Sequence, residues 1–544
     1  MSCPHLDRCS GCPAMHLDYP AQLEKKAERV ARALGGYPEL AGLERSKAAA
    51  ADPPLAYRSR AKWMVGKDGE LGLFAKGADH EVVDIPECRV VEPVILEVGR
   101  ALRGILRDPA LGPVAGKLRA VDLRAARTKG AGARVLVTFV APRNTLARDE
   151  VVALARALER ACPQVAGVAL NETSPRAIQV LGHGTELVSG VSSVPDDIGS
   201  VTVTATFGAF VQAHRGQAAA IEQAIVDAVR GLGGAPRVLE LFAGSGAFAL
   251  ALAGAAARVD AVESHAPAAR LLAERDARGV EAHAADAEVF VAEAAASGLR
   301  WDAVVVDPPR RGLTPALRKA IATLEPRLVV YVSCSPETLA RDLDHFARLG
   351  LTATKVSAFD MIPQTDEVEA LAVLTPSARS ARAKVSTLAG SNVVEIAAHE
   401  EGRGVALPPP ETGSGLALEL APGTRRHSVS FSALALVKGV PRKRGTIRGR
   451  SRYVRLSVAS GHALVRIEGV SPAQSASELA SIGHPVIGDP KRCDEATRRH
   501  FFEKHGLDRA AWHTDRLEAE GAPPVTSPIP GDLAAVLASV GVEI

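Results

Sequence analysis

The strongest constraint on the fold is a rhythm between residues 207 and 376, where short apolar runs alternate with helical stretches and polar turns. "RVLELFAGSGAFALALA" passes from a strand through a glycine turn into a helix, and "RVDAVESH", "DAVVVDPPRRG", "LVVYVSCSP" and "EALAVLTP" follow. Strands that are apolar on both faces need cover on both. This order predicts an α/β fold with a mostly parallel, doubly wound sheet. Ligands of such sheets bind beyond the carboxyl ends of the strands, so the residues there deserve the closest reading.

Gly244 and Gly246 in the first turn permit close backbone approach to a ligand. Glu263 closes the next strand, where an acid can bind the hydroxyls of a ribose. Asp286 in "AHAADAEVF" and Asp307 in "VVVDPPRRG" recur at successive strand ends. Any one of these acids would serve as a helix cap. A G-x-G turn without a third glycine, an acid after the second strand and D-P-P after the fourth together favour S-adenosylmethionine over a dinucleotide.

An aromatic after D-P-P would suit attack on an exocyclic amine, but here Arg310 follows. That points to a target needing a covalent nucleophile, and Cys334 stands at the end of the next strand. Carbon 5 of a pyrimidine is a poor nucleophile until a thiolate adds at carbon 6; a base must afterwards remove the carbon 5 proton. Glu369 in "FDMIPQTDEVEALAVL", just ahead of the last strand, is the candidate base. On these residues alone, Cys334 as nucleophile, metal ligand or ordinary buried thiol all stay open.

Cysteines lie at 3, 9, 12, 88, 162, 334 and 493, an odd count that suits metal binding or catalysis better than a disulfide framework. Cys3, Cys9 and Cys12 form C-x5-C-x2-C, with Cys88 far beyond them. Four thiolates at this spacing fit zinc or an iron-sulfur cluster alike.

"LELFAGSGAFALALA", "DPPRRGL", "SCSPETLARDL" and "DMIPQTDEVE", in this order, resemble the RNA uracil-5-methyltransferases, and the resemblance covers roughly residues 1 to 376. It implies a class I, Rossmann-like methyltransferase domain forming 5-methyluridine in structured RNA, with Cys334 as nucleophile and Glu369 as base. It further implies S-adenosylmethionine contacts at Gln212, Phe242, Glu263, Asp286 and Asp307. The cysteine spacing, with the "VVDIPEC" context of Cys88, resembles the 4Fe-4S site of the members that act on 23S rRNA. Three positions depart from the family pattern: Ser335 stands where Asn is usual, Asp366-Glu367 where Gly-His is usual, and Glu240 where Asp is usual.

The expected organisation is an iron-sulfur β module over 1–90, an α+β insert over 91–200, the methyltransferase domain over 201–376, a linker over 377–394 and an α+β tail over 395–544. "ELASIGHPVIGDPKR" and "AAWHTDRLE" in the tail resemble the large RNA pseudouridine synthase family. Pro408, Pro409 and Pro410 occupy the place of its Asp nucleophile, and Ala433 lies near the place of its Tyr. The tail is therefore expected to be catalytically dead. Net charge is only +3, yet 421–467 holds no Asp or Glu and eleven Lys and Arg residues, from Arg425 to Arg466, a strip suited to phosphates.

No stretch approaches the roughly 18 apolar residues of a membrane span, and the first residues lack the order of a secretory signal. The expectation is a cytoplasmic monomer whose partner is RNA and not a membrane. The competing expectation is an RNA-binding or ribosome-assembly factor with a vestigial methyltransferase core.

Overall fold

The computed structural model describes residues 3–37, 40, 43–77, 80–174, 179–182, 184–275, 277–376, 384–388, 391–396, 413–419, 429–447, 451–469, 471–519 and 523–542. At its centre lies an eight-stranded sheet in the order Glu44–Arg45, Leu351–Phe359, Glu369–Pro376, Leu328–Ser333, Ala303–Val306, Arg237–Leu241, Arg258–Glu263 and Val280–Ala284. Glu369–Pro376 runs antiparallel to both neighbours, and the other pairings are parallel.

Both faces are covered, as the unbroken apolar runs require. Leu239, Val304 and Val306 face one core, while Val238, Ala303 and Val305 face the other. Strand order reverses where Arg237–Leu241 lies beside Ala303–Val306, and the crevice past their carboxyl ends is where such sheets take ligands.

Residues 19–49 belong to this body. The amphipathic helix Tyr19–Gly35 buries Val30 and Leu34 in the first core. Glu44–Arg45 then extends the sheet edge, pairing Glu44 with Lys355.

A second sheet has seven strands, ordered Val82–Asp84, Leu71–Phe74, Arg60–Val65, Ala120–Ala126, Arg134–Pro142, Val165–Thr173 and Gly184–Gly190. It crosses the boundary expected near residue 90. Arg60–Val65 pairs with Ala120–Ala126, and Trp63, Val98, Val121, Phe139 and Leu154 share one core. Strand pairing between distant segments joins what a local shift in composition had divided.

The C-terminal sheet comprises Lys384–Leu388, Ser391–Ile396, Ser414–Glu419, Trp512–Ala519, Val429–Lys438, His462–Gly469, Ser451–Ala459 and Arg444–Ile447, with Val525–Thr526 beside Trp512–Ala519. The span expected as a linker thus contributes strands: Ser391–Ile396 pairs with Ser414–Glu419, which satisfies backbone groups that an extended linker would leave to water. Residues 377–383, the small and basic part of that span, lie outside the described residues, as do Pro408, Pro409 and Pro410. Among the described residues, no helix is long and apolar enough to cross a membrane.

Candidate active site

The glycine turn leaves the strand Arg237–Leu241 with Phe242 at φ 64°, Gly244 at 55° and Gly246 at 76°, all left-handed. Gly246 caps the helix Ala247–Leu252, and a Cβ there would lie 2.4 Å from Leu272 Cδ1. Both the dihedral and the close approach require glycine. Glu263 completes the turn from the neighbouring strand: its Oε2 accepts from Gly244 N at 2.8 Å and its Oε1 from His265 N at 2.6 Å.

Asp286 follows the strand Val280–Ala284 and caps the helix Ala287–Ala296, accepting from Glu288 N at 2.9 Å and Val289 N at 3.2 Å. Asp307 follows Ala303–Val306, and Gln212 Nε2 donates to its Oδ2 at 3.4 Å. Burial pushes the Asp307 carboxyl up to about 7. Glu240, 2% exposed, rises well above the usual carboxylate range through burial and then the charges of Asp307 and Glu263, and its Oε2 has no hydrogen-bond partner. Crowded acids of this kind favour a cationic ligand. A sulfonium bearing an α-amino group fits the need.

Cys334 ends the strand Leu328–Ser333, and Glu369 begins Glu369–Pro376. These strands are antiparallel with Ser333 opposite Ala370, so the next step of the same register brings Cys334 opposite Glu369. Burial pushes the Cys334 thiol up to about 11; the charges of Glu369 and Asp307 add to this, while Arg310 opposes it. Glu369 is 6% exposed. Its carboxyl is held well above the usual range by burial and then by Asp307 and Glu367, again opposed by Arg310.

The departures from the family pattern have local explanations. Ser335 Oγ accepts from Thr338 N and caps the helix Pro336–Arg348, so a short polar side chain preserves the turn after Cys334. Glu367 Oε1 accepts from Arg310 Nη2 at 2.9 Å.

Cys3, Cys9, Cys12 and Cys88 line one cavity of about 430 Å³ together with Arg58, Trp63 and Phe210. Burial pushes the Cys12 thiol up to about 12, with further contributions from Cys88, Cys9 and Cys3. Val211 and Ala213 also line this cavity, while Gln212 between them reaches Asp307, so a single loop separates the thiols from the cofactor crevice. The remaining cysteines, Cys162 and Cys493, are buried elsewhere.

The tRNA (uracil-5-)-methyltransferase family profile matches residues 292–376. A protein of Geobacter sulfurreducens described as an uncharacterized RNA methyltransferase is 33% identical over 391 residues, covering 69% of this chain and 76% of the relative. One of Halalkalibacterium halodurans, described likewise, is 30% identical over 68% of this chain and 82% of its own length. The chain belongs to the RNA uracil-5-methyltransferase family.

The solved Pyrococcus abyssi tRNA (uracil-54, C5)-methyltransferase, in complex with S-adenosyl-L-homocysteine, superposes with a TM-score of 0.53 and 25% identity, covering 68% of this chain and 86% of that one. This methyltransferase is accordingly S-adenosylmethionine-dependent and carries the α/β class I fold. In the methyltransferase Glu240 lies within reach of the charges of Asp307 and Glu263, which its place as a departure from the family pattern does not signal. Arg29 and Arg310 border the same site; Arg310 lies within D-P-P-R, whereas Arg29 sits in the helix Tyr19–Gly35, far from any motif in the chain.

Proposed function

We propose that this methyltransferase forms 5-methyluridine in structured RNA, with 23S rRNA as substrate, through a covalent adduct between Cys334 and uracil carbon 6. The observation that carries the reading is the strand register that sets Cys334 against Glu369 at the carboxyl ends of the sheet.

S-adenosylmethionine, when bound, supplies a methyl group on a cationic sulfonium. Gln212, Phe242, Gly244, Gly246, Glu263, Asp286 and Asp307 would hold it. The turn glycines bring backbone close to the ligand, and the acids meet its positive charge. Cys334 releases its proton to solvent and its sulfur bonds to carbon 6; the double-bond electrons move into the enolate of the ring. Carbon 5 of the enolate then takes the methyl group. Glu369 accepts the carbon 5 proton, the ring double bond re-forms, and the sulfur–carbon bond breaks. A carboxylate held in a buried, acid-rich setting is a stronger base than one in water, which suits Glu369 to that step.

Cys3, Cys9, Cys12 and Cys88 fit a 4Fe-4S cluster. Their sulfurs form no trio within 4.8 Å of one another, whereas a zinc tetrahedron with 2.3 Å bonds has edges of about 3.8 Å. The cluster would tie the segment Cys3–Cys12 to Cys88 and so brace the loop bearing Gln212. Among the described residues, Asp260, Glu281 and His283 do come within that distance, but Asp260 already accepts from Arg258 at 2.8 Å, His283 at 3.1 Å and Trp301 at 2.8 Å, which marks an ion-pair network.

The tail serves in RNA binding without catalysis. Arg442, Lys443 and Arg444 of the basic strip are exposed, and Ala433 is buried in Val429–Lys438. Comparing 5-methyluridine in ribosomal and transfer RNA from cells with and without the protein tests the whole reading. Loss of one site in 23S rRNA supports it, and unchanged content overturns it.

A further inference from the structure

Four charged side chains from four segments meet at the rim of the site. Arg29 comes from the helix Tyr19–Gly35, Arg310 from the D-P-P-R loop, Glu337 from the first turn of Pro336–Arg348, and Glu367 from the segment before Glu369. Arg29 is fixed: Nε and Nη2 donate to Glu337 at 3.0 and 3.1 Å, and Nη1 donates to the Asp366 carbonyl at 3.0 Å. Arg310 is not. Its side chain is 68% exposed and makes one ion pair, with Glu367, whose other oxygen lies 3.9 Å from Arg29 Nη1.

Only the loop backbone is anchored on the Arg310 side, where Thr338 Oγ1 donates to the Arg310 carbonyl at 3.1 Å. The Glu367 side is also set by backbone, since Glu367 N donates to Thr365 Oγ1 at 3.2 Å and that hydroxyl donates to the Ile362 carbonyl at 2.7 Å. An ordered backbone thus presents the Glu367 carboxylate to an exposed guanidinium. Guanidinium recognises carboxylate and phosphate with the same planar fork, and an exposed pair is weak enough for an incoming anion to compete.

We propose that Glu367 occupies Arg310 as a stand-in for an RNA phosphate, a latch on the free enzyme that the substrate backbone displaces when its uridine enters. The proposal rests on the active-site reading above, because Arg310 bears on the nucleophile and the base. The groups facing Arg310 are Glu367, Arg29, Cys334 and Glu369, and its charge acts on both Cys334 and Glu369. Displacement of Glu367 by a phosphate selects for chains whose backbone reaches the rim. Glu367 is therefore a positioning residue.

The test is a double-mutant cycle on the full-length protein, using a fluorescein-labelled uridine-rich stem-loop RNA and anisotropy at fixed salt. Glu367→Gln is expected to tighten binding by roughly threefold to tenfold, Arg310→Gln to weaken it and lower the salt slope by about 1, and Glu367→Gln in the Arg310→Gln background to change nothing. Iodoacetamide labelling of Cys334 in the RNA-free enzyme should speed up in Glu367→Gln and slow in Arg310→Gln. Weaker RNA binding by Glu367→Gln, or the same effect in both backgrounds, overturns the latch and leaves Glu367 a structural residue. Failure of the cysteine chemistry reads out separately, as methyl transfer by Cys334→Ser.

Discussion

Arg341 Nη1 donates to the carbonyl of Gly506 at 3.0 Å, joining the helix that follows Cys334 to the C-terminal unit. The same guanidinium donates to the Arg311 carbonyl at 2.9 Å, in the loop that carries Asp307 and Arg310. Asp342 accepts from Leu313 N at 2.8 Å and pairs with Arg318, which also pairs with Asp508 of the tail. The tail is therefore wired into the loop that frames the active site.

Asp508→Asn should be destabilising, because it leaves Arg318, 2% exposed, without its second carboxylate. Arg318 keeps Asp342, so the loss stays below about 3–5 kcal/mol, the cost of a buried charge left without any partner. Urea unfolding of the full chain measures this. Methyl transfer at a temperature where the variant remains folded should fall, while cofactor affinity stays within about twofold because the acids of the crevice are untouched.

Cys334→Ala should abolish methyl transfer to RNA while leaving cofactor binding intact, read by tritium incorporation and calorimetry. Glu369→Gln should still form the adduct and fail to resolve it. A protein–RNA band surviving denaturing electrophoresis is the expected signature, and it should vanish in the Cys334→Ala, Glu369→Gln double variant.

Cofactor affinity should rise with pH and level off above about 7. Asp307 in the free protein holds a proton up to about that pH, which the unfolded chain releases near its ordinary value. A raised acid binds more protons folded than unfolded, so its contribution to the stability of the free protein falls as pH climbs through this window. Binding a cation favours the ionised form, and the affinity gain is at most about tenfold per pH unit. Asp307→Asn should flatten the profile in titration calorimetry.

Anaerobic reconstitution with iron and sulfide should give a brown protein containing both, and Cys88→Ser should lose them. Burial and the neighbouring thiols hold Cys12 at about 12, so this thiol is protonated at neutral pH and its ligation in a cluster must release a proton. The release is measurable in weakly buffered solution. Stoichiometric zinc without iron would replace this reading.

Gly246→Ala should weaken cofactor binding and lower stability together. At φ 76° and 2.4 Å from Leu272 Cδ1, a methyl group strains the turn and pushes the buried Leu272 side chain aside. Thermal unfolding with and without S-adenosylhomocysteine separates the two losses.

Much of this protein follows from local pattern. Apolar runs of four to six residues specified the strands of the central sheet, because a strand covered on both faces must be apolar throughout. Ser335 and Asp286 cap helices where short polar side chains precede helical sequence, and the glycines of "FAGSGAF" sit where φ is positive. The acids Glu263, Asp286 and Asp307 were legible as strand-end residues for the same reason.

What sequence alone left open was decided by long-range pairing. Register across an antiparallel strand set Cys334 against Glu369, and a seven-stranded sheet joined residues on both sides of position 90. Arg29 crosses from the first helix to hold Glu337, and Asp508 arrives from the tail to complete the Arg318 network. Strand period and caps are written in neighbouring residues. Ion pairs and register between segments tens or hundreds of positions apart leave no period in the chain, and only the folded sheet brings their charges within a few ångströms.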